Sequence, residues 1–284
     1  MNPAIEIKDL TVELSGFQLD HITVNIPKGV VVGLIGRNGA GKTTLIRTLT
    51  DVYAPSTGTI LYDGIPMRGN EAAVKSKLGI VHDNLFYPGQ IAARKLAKMF
   101  EPLYPDFNMD RWHSLMERFE LDEKKRPVFY SKGMQMKFML AMVLARDPSI
   151  LILDEPTAGM DPAARADMIE LIQEFMQDEN KAVLFSTHNT SDLDKIADYI
   201  ALISHGKLVF TEEKEILLEQ YTLVQVERQA MTTKIRNELM GVKENTFGFI
   251  GLSKERSKLE GIAGVQLLRP SIEDFLIYGD GYEK

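Results

Sequence analysis

Lys42, Thr43, Asp154, Glu155 and His188 bring together one cation, one hydroxyl, two carboxylates and one imidazole, the groups that breaking a phosphoanhydride requires. The first two close the stretch Gly36-Arg37-Asn38-Gly39-Ala40-Gly41-Lys42-Thr43-Thr44, which has the form G-x-x-x-x-G-K-[ST]. It lies between the apolar run Val30 to Ile35 and the helically spaced Leu45, Ile46 and Leu49. Glycines there let the backbone N–H groups turn inward, so that they and the following helix N-terminus cage phosphate oxygens. Lys42 adds a full positive charge, and Thr43 offers its hydroxyl to a Mg²⁺ bridging the β- and γ-phosphates; Thr44, one residue later, is less well placed for that role. Downstream, Asp154 and Glu155 end the apolar run Ile150 to Leu153. A strand end in an open sheet is where ligands sit. There Asp154 would hold Mg²⁺ through a water, and Glu155 would accept a proton from the water that attacks the γ-phosphate. His188 follows a second apolar run, Ala182 to Phe185, and so could reach the same sheet edge and donate a hydrogen bond to the γ-phosphate. His21, His82, His113 and His205 have no such position.

The elements that must position these residues are legible in the spacing. Residues 4 to 35 alternate as short strands, with Ile5 and Ile7, then Leu19, Ile22, Val24 and Ile26, and Pro27-Lys28-Gly29 as a turn. They predict an antiparallel sheet leading into the phosphate-loop strand. Thr59 to Gly64 reads as a strand and turn, and Leu78 to Val81 as a further strand. From Asp83 to Arg146 the spacing becomes helical, with Ile91, Leu96, Met99 and Phe100, then Trp112, Leu115, Met116 and Phe119, aromatics and methionines that read as core. A helix is expected over about 162–177, between the strands Ile150–Leu153 and Ala182–Phe185. Strands alternating with helices imply a parallel core, with the helical block inserted into it. Beyond Gly206 the periodicity weakens: Tyr221 to Val226 reads as a strand, and Ser271 with Asp274 three residues on marks a helix start whose apolar face is Ile272, Phe275 and Leu276. Residues 211–284 are expected to form a small appended domain without assignable chemistry.

The 284 residues carry 33 Lys and Arg against 40 Asp and Glu, a formal charge of −7, and 44% are hydrophobic, enough for one sizeable core and a second small one. An acidic balance without a dense basic run argues against nucleic acid as the main partner. The longest apolar run, Phe138 to Ala145, falls well short of the roughly 18 residues of a membrane span. Met1 to Glu6 lacks a basic region followed by an apolar core, so no secretion signal is expected. With no cysteine, thiolate chemistry and disulfides are excluded, which fits the cytosol.

At this point the chain resembles the ATP-binding subunit of an ATP-binding cassette (ABC) transporter. Residues 4 to about 210 supply in order the phosphate loop, a signature segment Tyr130-Ser131-Lys132-Gly133-Met134, the Asp154-Glu155 pair, the loop Ala158-Gly159-Met160-Asp161 and the histidine His188. The resemblance implies an α/β fold: a P-loop NTPase core with a parallel sheet, an N-terminal antiparallel β subdomain, a helical subdomain inserted at about 83–146, and a small C-terminal α+β extension. It implies a domain over 1–210 and an accessory domain over 211–284. It implies ATP and Mg²⁺ as ligand and cofactor, and two such domains associating head to tail, the same chain or a different one. Each ATP then lies between the phosphate loop of one copy and Ser131 and Gly133 of the other. A separate transmembrane permease, docking near Phe86, Tyr87 and Pro88, would be the partner, which places the chain on the cytoplasmic face of the cell membrane.

Three positions depart from the family pattern. The signature normally reads Leu-Ser-Gly-Gly-Gln, and Tyr130, Lys132 and Met134 replace its Leu, first Gly and Gln. After Val81 the family has a glutamine that contacts Mg²⁺, where this chain has His82-Asp83-Asn84; Asp83 falls at that place, as a hard oxygen ligand, and Gln90 is too far along. The aromatic that stacks on adenine falls near the aliphatic Leu14, with Phe17 as its replacement. These departures, with the long tail, resemble bacterial ABC-2-type exporter subunits. The alternatives are a nucleotide-binding regulatory module with vestigial hydrolysis, against which Glu155 argues, and a soluble ABC ATPase acting on ribosomes or DNA. The latter usually has two cassettes or a long coiled-coil insertion.

Overall fold

The structure, a computed structural model, describes residues 3–279. The chain divides into two compact units, one running to Val32 and resuming over Thr43–Thr187, the other comprising Gly33–Lys42 and the chain from His188 onward.

The first unit begins with the hairpin β1 (Ile5–Leu14) and β2 (Phe17–Ile26), paired antiparallel from Ile5↔Ile26 to Leu14↔Phe17. Strand β3 (Val31–Ile35) gives its first two residues to this unit, and α1 (Lys42–Leu49) follows. Strands β4 (Thr57–Tyr62) and β5 (Ile65–Pro66) complete an antiparallel sheet of order β2-β1-β4-β5. Next come α2 (Glu71–Lys77), β6 (Leu78–Val81), α3 (Ala93–Phe100), α4 (Met109–Arg118), α5 (Lys132–Leu144), β7 (Ile150–Asp154), α6 (Pro162–Phe175) and β8 (Ala182–Ser186). Strands β6, β7 and β8 run parallel, Leu78 opposite Ile150 and Ile150 opposite Ala182, in the order β3-β8-β7-β6. Their unbroken apolar runs follow from burial on both faces, which parallel strands require. The fold is thus α/β, with parallel and antiparallel sheets.

The helical stretch between β6 and β7 packs around Trp112, Met116 and Phe138, all fully buried and each worth about 1.5–3 kcal/mol by burial alone. Phe138–Ala145, the longest apolar run, is buried throughout, its first seven residues within α5 and Ala145 as the C-cap. Met99 differs from expectation: it is 48% exposed, because α3 turns Ala93, Leu96 and Ala97 inward and Met99 lies off that stripe.

In the second unit, Gly33–Ile35 of β3 continue into the phosphate loop, beside β9 in the order β10-β9-β3. Its further elements are α7 (Thr190–Ile196), β9 (Tyr199–Ser204), β10 (Lys207–Glu213), α8 (Lys214–Gln220), β11 (Thr222–Glu227), α9 (Thr233–Asn237), β12 (Met240–Glu244), β13 (Gly248–Ser253), α10 (Arg256–Leu259), β14 (Val265–Leu268) and α11 (Ile272–Tyr278). Strands β11 to β14 form an antiparallel sheet of order β12-β13-β11-β14, whose core is Val224, Val226, Ile235, Leu239 and Leu259. Helix α11 opens on the expected capping box: the Ser271 hydroxyl accepts from Asp274 N–H while the Asp274 carboxylate accepts from Ser271 N–H. Ile272 and Phe275 are its buried face.

Candidate nucleotide-binding site

The phosphate loop has the geometry its sequence demands. Gly36 passes so close to β9 that a Cβ there would lie 2.5 Å from the Ile203 carbonyl oxygen, and Gly39 and Gly41 have φ of 79° and 118°, which only glycine adopts freely. Ala40 N–H donates to Arg37 O at 3.0 Å, while Gly206 N–H donates to Ala40 O at 2.9 Å and ties the loop to the turn after β9. Arg37, Asn38 and Gly39 are exposed at its crest. The Lys42 side chain is 6% exposed and its ammonium donates to Gly36 O at 2.7 Å, so the cation lies along the inside of the loop. Further along the same unit, His188 is exposed at the bend before α7, whose first turn is capped by Asn189.

Thr43, Asp83, Asp154 and Glu155 belong to the first unit. Asp154 ends β7 opposite Ser186 at the end of β8, and its side chain is 3% exposed. Burial pushes its carboxyl above the ordinary carboxylate value, and the charges of Asp83 and Glu155 push the same way; the Ser186 and Thr43 hydroxyls beside it oppose them. Asp154 Oδ1 is buried with no hydrogen-bond partner. A buried carboxylate oxygen left unsatisfied near other carboxylates and a hydroxyl fits a hard divalent cation of the Mg²⁺ kind, which takes one or two protein oxygens and completes its shell with phosphate and water. Among the described residues no cluster of three or more His, Cys, Asp or Glu forms a metal cage of its own.

Glu155 has a left-handed backbone, φ 50°, sparsely populated for a side chain of this size. Two hydrogen bonds hold it there: its N–H donates to Ser186 O at 3.0 Å and its carbonyl accepts from Ala158 N–H at 3.1 Å. The turn swings the chain sharply at the end of β7. Asp161 then caps α6, its carboxylate accepting from Ala163 and Ala164 N–H at 3.0 Å. Asp83 is exposed, just past β6, and its carboxylate accepts from the Asn84 amide. Ser186 is the contributor that the sequence reading missed. Its only signal is that it ends an apolar strand with a polar side chain, as Asp154 does.

Of the signature departures, Tyr130 is a core residue, 4% exposed, its hydroxyl donating to Asp122 O at 2.8 Å and its ring edge-on to Phe138. Ser131 is the N-cap of α5 and accepts from Met134 N–H. Lys132 is exposed. A Cβ on Gly133 would approach Met160 and Ala164 at 3.7 Å, so the signature abuts the 158–164 segment of its own unit. Phe17 opens β2 at the hairpin turn opposite Leu14 and is half-buried.

Past Asp83 the chain lines a groove of about 550 Å³ with Arg47, His82, Phe86, Tyr104, Met139 and Arg146 among its walls. Phe86 and Tyr87 face different surroundings. Phe86 is 73% exposed and stacks loosely on His82 at 5.1 Å, whereas Tyr87 sits edge-on to Phe100 and Phe138 at 5.1 and 5.7 Å. Burial lowers the pKa of the His82 imidazole, against the pull of Asp154 and Asp83.

The family described as ABC transporter matches residues 19–158, and a second, described as AAA domain, putative AbiEii toxin, Type IV TA system, matches residues 127–194. The ABC transporter ATP-binding protein NatA of Bacillus subtilis is 32% identical over 205 residues, covering 70% of this chain and 82% of NatA. Among solved structures, cbiO1 from Clostridium perfringens, part of the ABC transporter complex cbiONQ, superposes with a TM-score of 0.64 at 25% identity, over 77% of this chain and 92% of that one. An ATP-binding cassette dimer in a post-hydrolysis state with ADP and phosphate shares the fold, with a TM-score of 0.65 at 20% identity over 74% and 98% of the two chains. With the phosphate loop, the strand-end carboxylates and the capped signature helix in place, this chain belongs to the ATP-binding subunits of ABC transporters.

Proposed function

We propose that the chain is a Mg²⁺-dependent ATPase of 1–210 with an accessory domain of 211–284, working at the cytoplasmic face of the cell membrane. It closes head to tail on a second cassette, and so energises export through a separate transmembrane permease. The observation that carries this reading is the buried, unpartnered Asp154 oxygen beside Thr43 and Asp83, a place for a divalent cation at the end of the strand that leads into Glu155.

The roles follow from chemistry and position. Residues Gly36 to Thr44 bind the phosphates through backbone N–H groups and the Lys42 ammonium. Thr43, Asp154 and Asp83 supply oxygens to Mg²⁺, which when bound neutralises phosphate charge. Glu155 takes the proton of the attacking water, from the left-handed turn that follows β7. His188 donates to the γ-phosphate, and Phe17 lies against adenine. Ser131 and Gly133 meet the γ-phosphate of ATP on the opposing cassette, so that ATP bridges two surfaces and ADP does not; that difference in affinity is what a nucleotide-driven switch needs. The groove with exposed Phe86 receives a cytoplasmic helix of the permease, since an apolar anchor in a half-open groove is how helices are recognised.

The test is turnover by the purified chain. Glu155→Gln should keep ATP binding and lose about 10²- to 10⁴-fold in hydrolysis, the usual worth of a general base. Hydrolysis by Glu155→Gln at the parent's rate would overturn the assignment of Glu155.

A further inference from the structure

Ser186 is the one polar residue of β8, Ala-Val-Leu-Phe-Ser, and it is fully buried. A hydroxyl shut away at the end of an apolar strand is costly unless it has something to hold. The register offers it two neighbours, because the parallel pairing of β7 with β8 ends on Asp154 opposite Ser186, and Glu155 comes next. The main chain of Ser186 holds the second of these: its carbonyl accepts from Glu155 N–H at 3.0 Å, which keeps Glu155 in its left-handed turn, φ 50°. The side chain addresses the first. Its hydroxyl stands beside the Asp154 carboxylate, as the Thr43 hydroxyl does. Ser186 Oγ and Asp154 Oδ1 are nevertheless both buried with no completed hydrogen bond. A buried donor and a buried acceptor, side by side and both unsatisfied, mark a place for a third partner.

We propose that Ser186 is a positioning residue for the divalent cation: its hydroxyl fixes the rotation of the Asp154 carboxylate, so that one oxygen is held ready for the ion, while its carbonyl fixes the backbone from which Glu155 projects. This rests on the reading above, that Asp154 serves Mg²⁺. A hydroxyl can do this because it turns about one bond to give its proton to whichever carboxylate oxygen faces it. Groups that brace a metal ligand from behind in this way set its orientation and the affinity of the site. One residue thereby ties the cation and the general base to the same strand end, the side chain acting on Asp154 and the main chain on Glu155.

The test is equilibrium binding of ADP to the purified chain, in EDTA and over a titration of Mg²⁺, which needs neither turnover nor a second cassette. The quantity read is the Mg²⁺ concentration at which half of the ion-dependent change in ADP affinity is reached. Ser186→Ala removes the hydroxyl and keeps the carbonyl bond to Glu155. It should raise that concentration about tenfold, the usual effect of losing a group that braces a metal ligand, and leave the affinity in EDTA unchanged. Ser186→Thr keeps the hydroxyl, and Ser186→Val has the shape of threonine without it. The first should therefore titrate with the parent and the second with Ser186→Ala, a division that a merely structural role would not produce. The proposal is overturned if Ser186→Ala titrates with the parent, if the Thr and Val variants titrate together, or if Ser186→Ala binds ADP as much more weakly in EDTA as in Mg²⁺. Asp154→Asn separates this from the reading beneath it. If Asp154→Asn leaves the Mg²⁺ titration unmoved, the cation does not depend on Asp154 and the role of Ser186 falls with that assignment; if it moves the titration while Ser186→Ala does not, Ser186 alone is overturned.

Discussion

Phe86 and Tyr87 are neighbours in sequence, both aromatic, and both at the groove assigned to the permease, yet truncating them should have opposite signatures. Tyr87 is half-buried: its ring meets Phe100 and Phe138 edge-on at interplanar angles of 78° and 72°, and desolvation of its phenol pushes it well above the ordinary tyrosine value. Removing a fully buried aromatic side chain costs about 3–5 kcal/mol, of which each edge-on pair accounts for roughly 0.5–1.5 kcal/mol, so a half-buried ring held by two such pairs falls at the bottom of that range. Taking the low end, about 3 kcal/mol, and about 2 °C per kcal/mol for a chain of this size, Tyr87→Ala should melt about 6 °C below the parent. Phe86 is 73% exposed, and its truncation should change stability by no more than about 0.5 kcal/mol, about 1 °C. Circular dichroism melting of the two single variants measures this, and ATPase assays with and without the membrane partner complete it. Phe86→Ala should melt with the parent and lose stimulation by the partner, since only the exposed ring is available to dock. Equal melting temperatures for the two variants, or partner stimulation intact in Phe86→Ala, would refute the division between an exposed anchor and a core residue.

Two further outcomes follow from the site. Because the folded chain holds the Asp154 carboxyl above its ordinary value near 3.8, the folded form keeps that proton to higher pH than the unfolded chain, so its stabilising contribution is present below that value and lost as pH rises through the raised one. Nucleotide-free Asp154→Asn should therefore melt with a flatter decline than the parent as pH rises above that ordinary value, and an identical decline in both would contradict the burial argument. Gly36→Ala would drive a Cβ to 2.5 Å from the Ile203 carbonyl, so it should lose about 2 kcal/mol of stability and bind ATP at least tenfold more weakly, read by thermal melting and equilibrium nucleotide binding.

The phosphate loop, the strand-end pair Asp154 and Glu155 and the capping box at Ser271 were legible in the chain because each is a local device. The spacing of glycines, the polar end of an apolar run and a Ser three residues before an Asp act within one turn or strand, and neighbours in sequence carry the signal. The core of α5 was legible for a related reason, since eight successive apolar side chains leave a helix no face for water. What the sequence could not resolve is whatever depends on which distant segment lies alongside. Ser186 faces Asp154 only because β7 and β8 pair in that register, and nothing within either strand announces it. Phe86 and Tyr87 look alike until packing against Phe100 and Phe138 pins one ring and leaves the other exposed. Strands β12 to β14 escaped notice because a small antiparallel sheet spreads its few apolar residues too thinly for a period to emerge, and they cohere only around Val224, Val226 and Leu259. The charges of Lys137 and Asp167 are written in the sequence, but that they pair is a property of three-dimensional surroundings: composition sets which charges exist, and tertiary structure decides which of them meet.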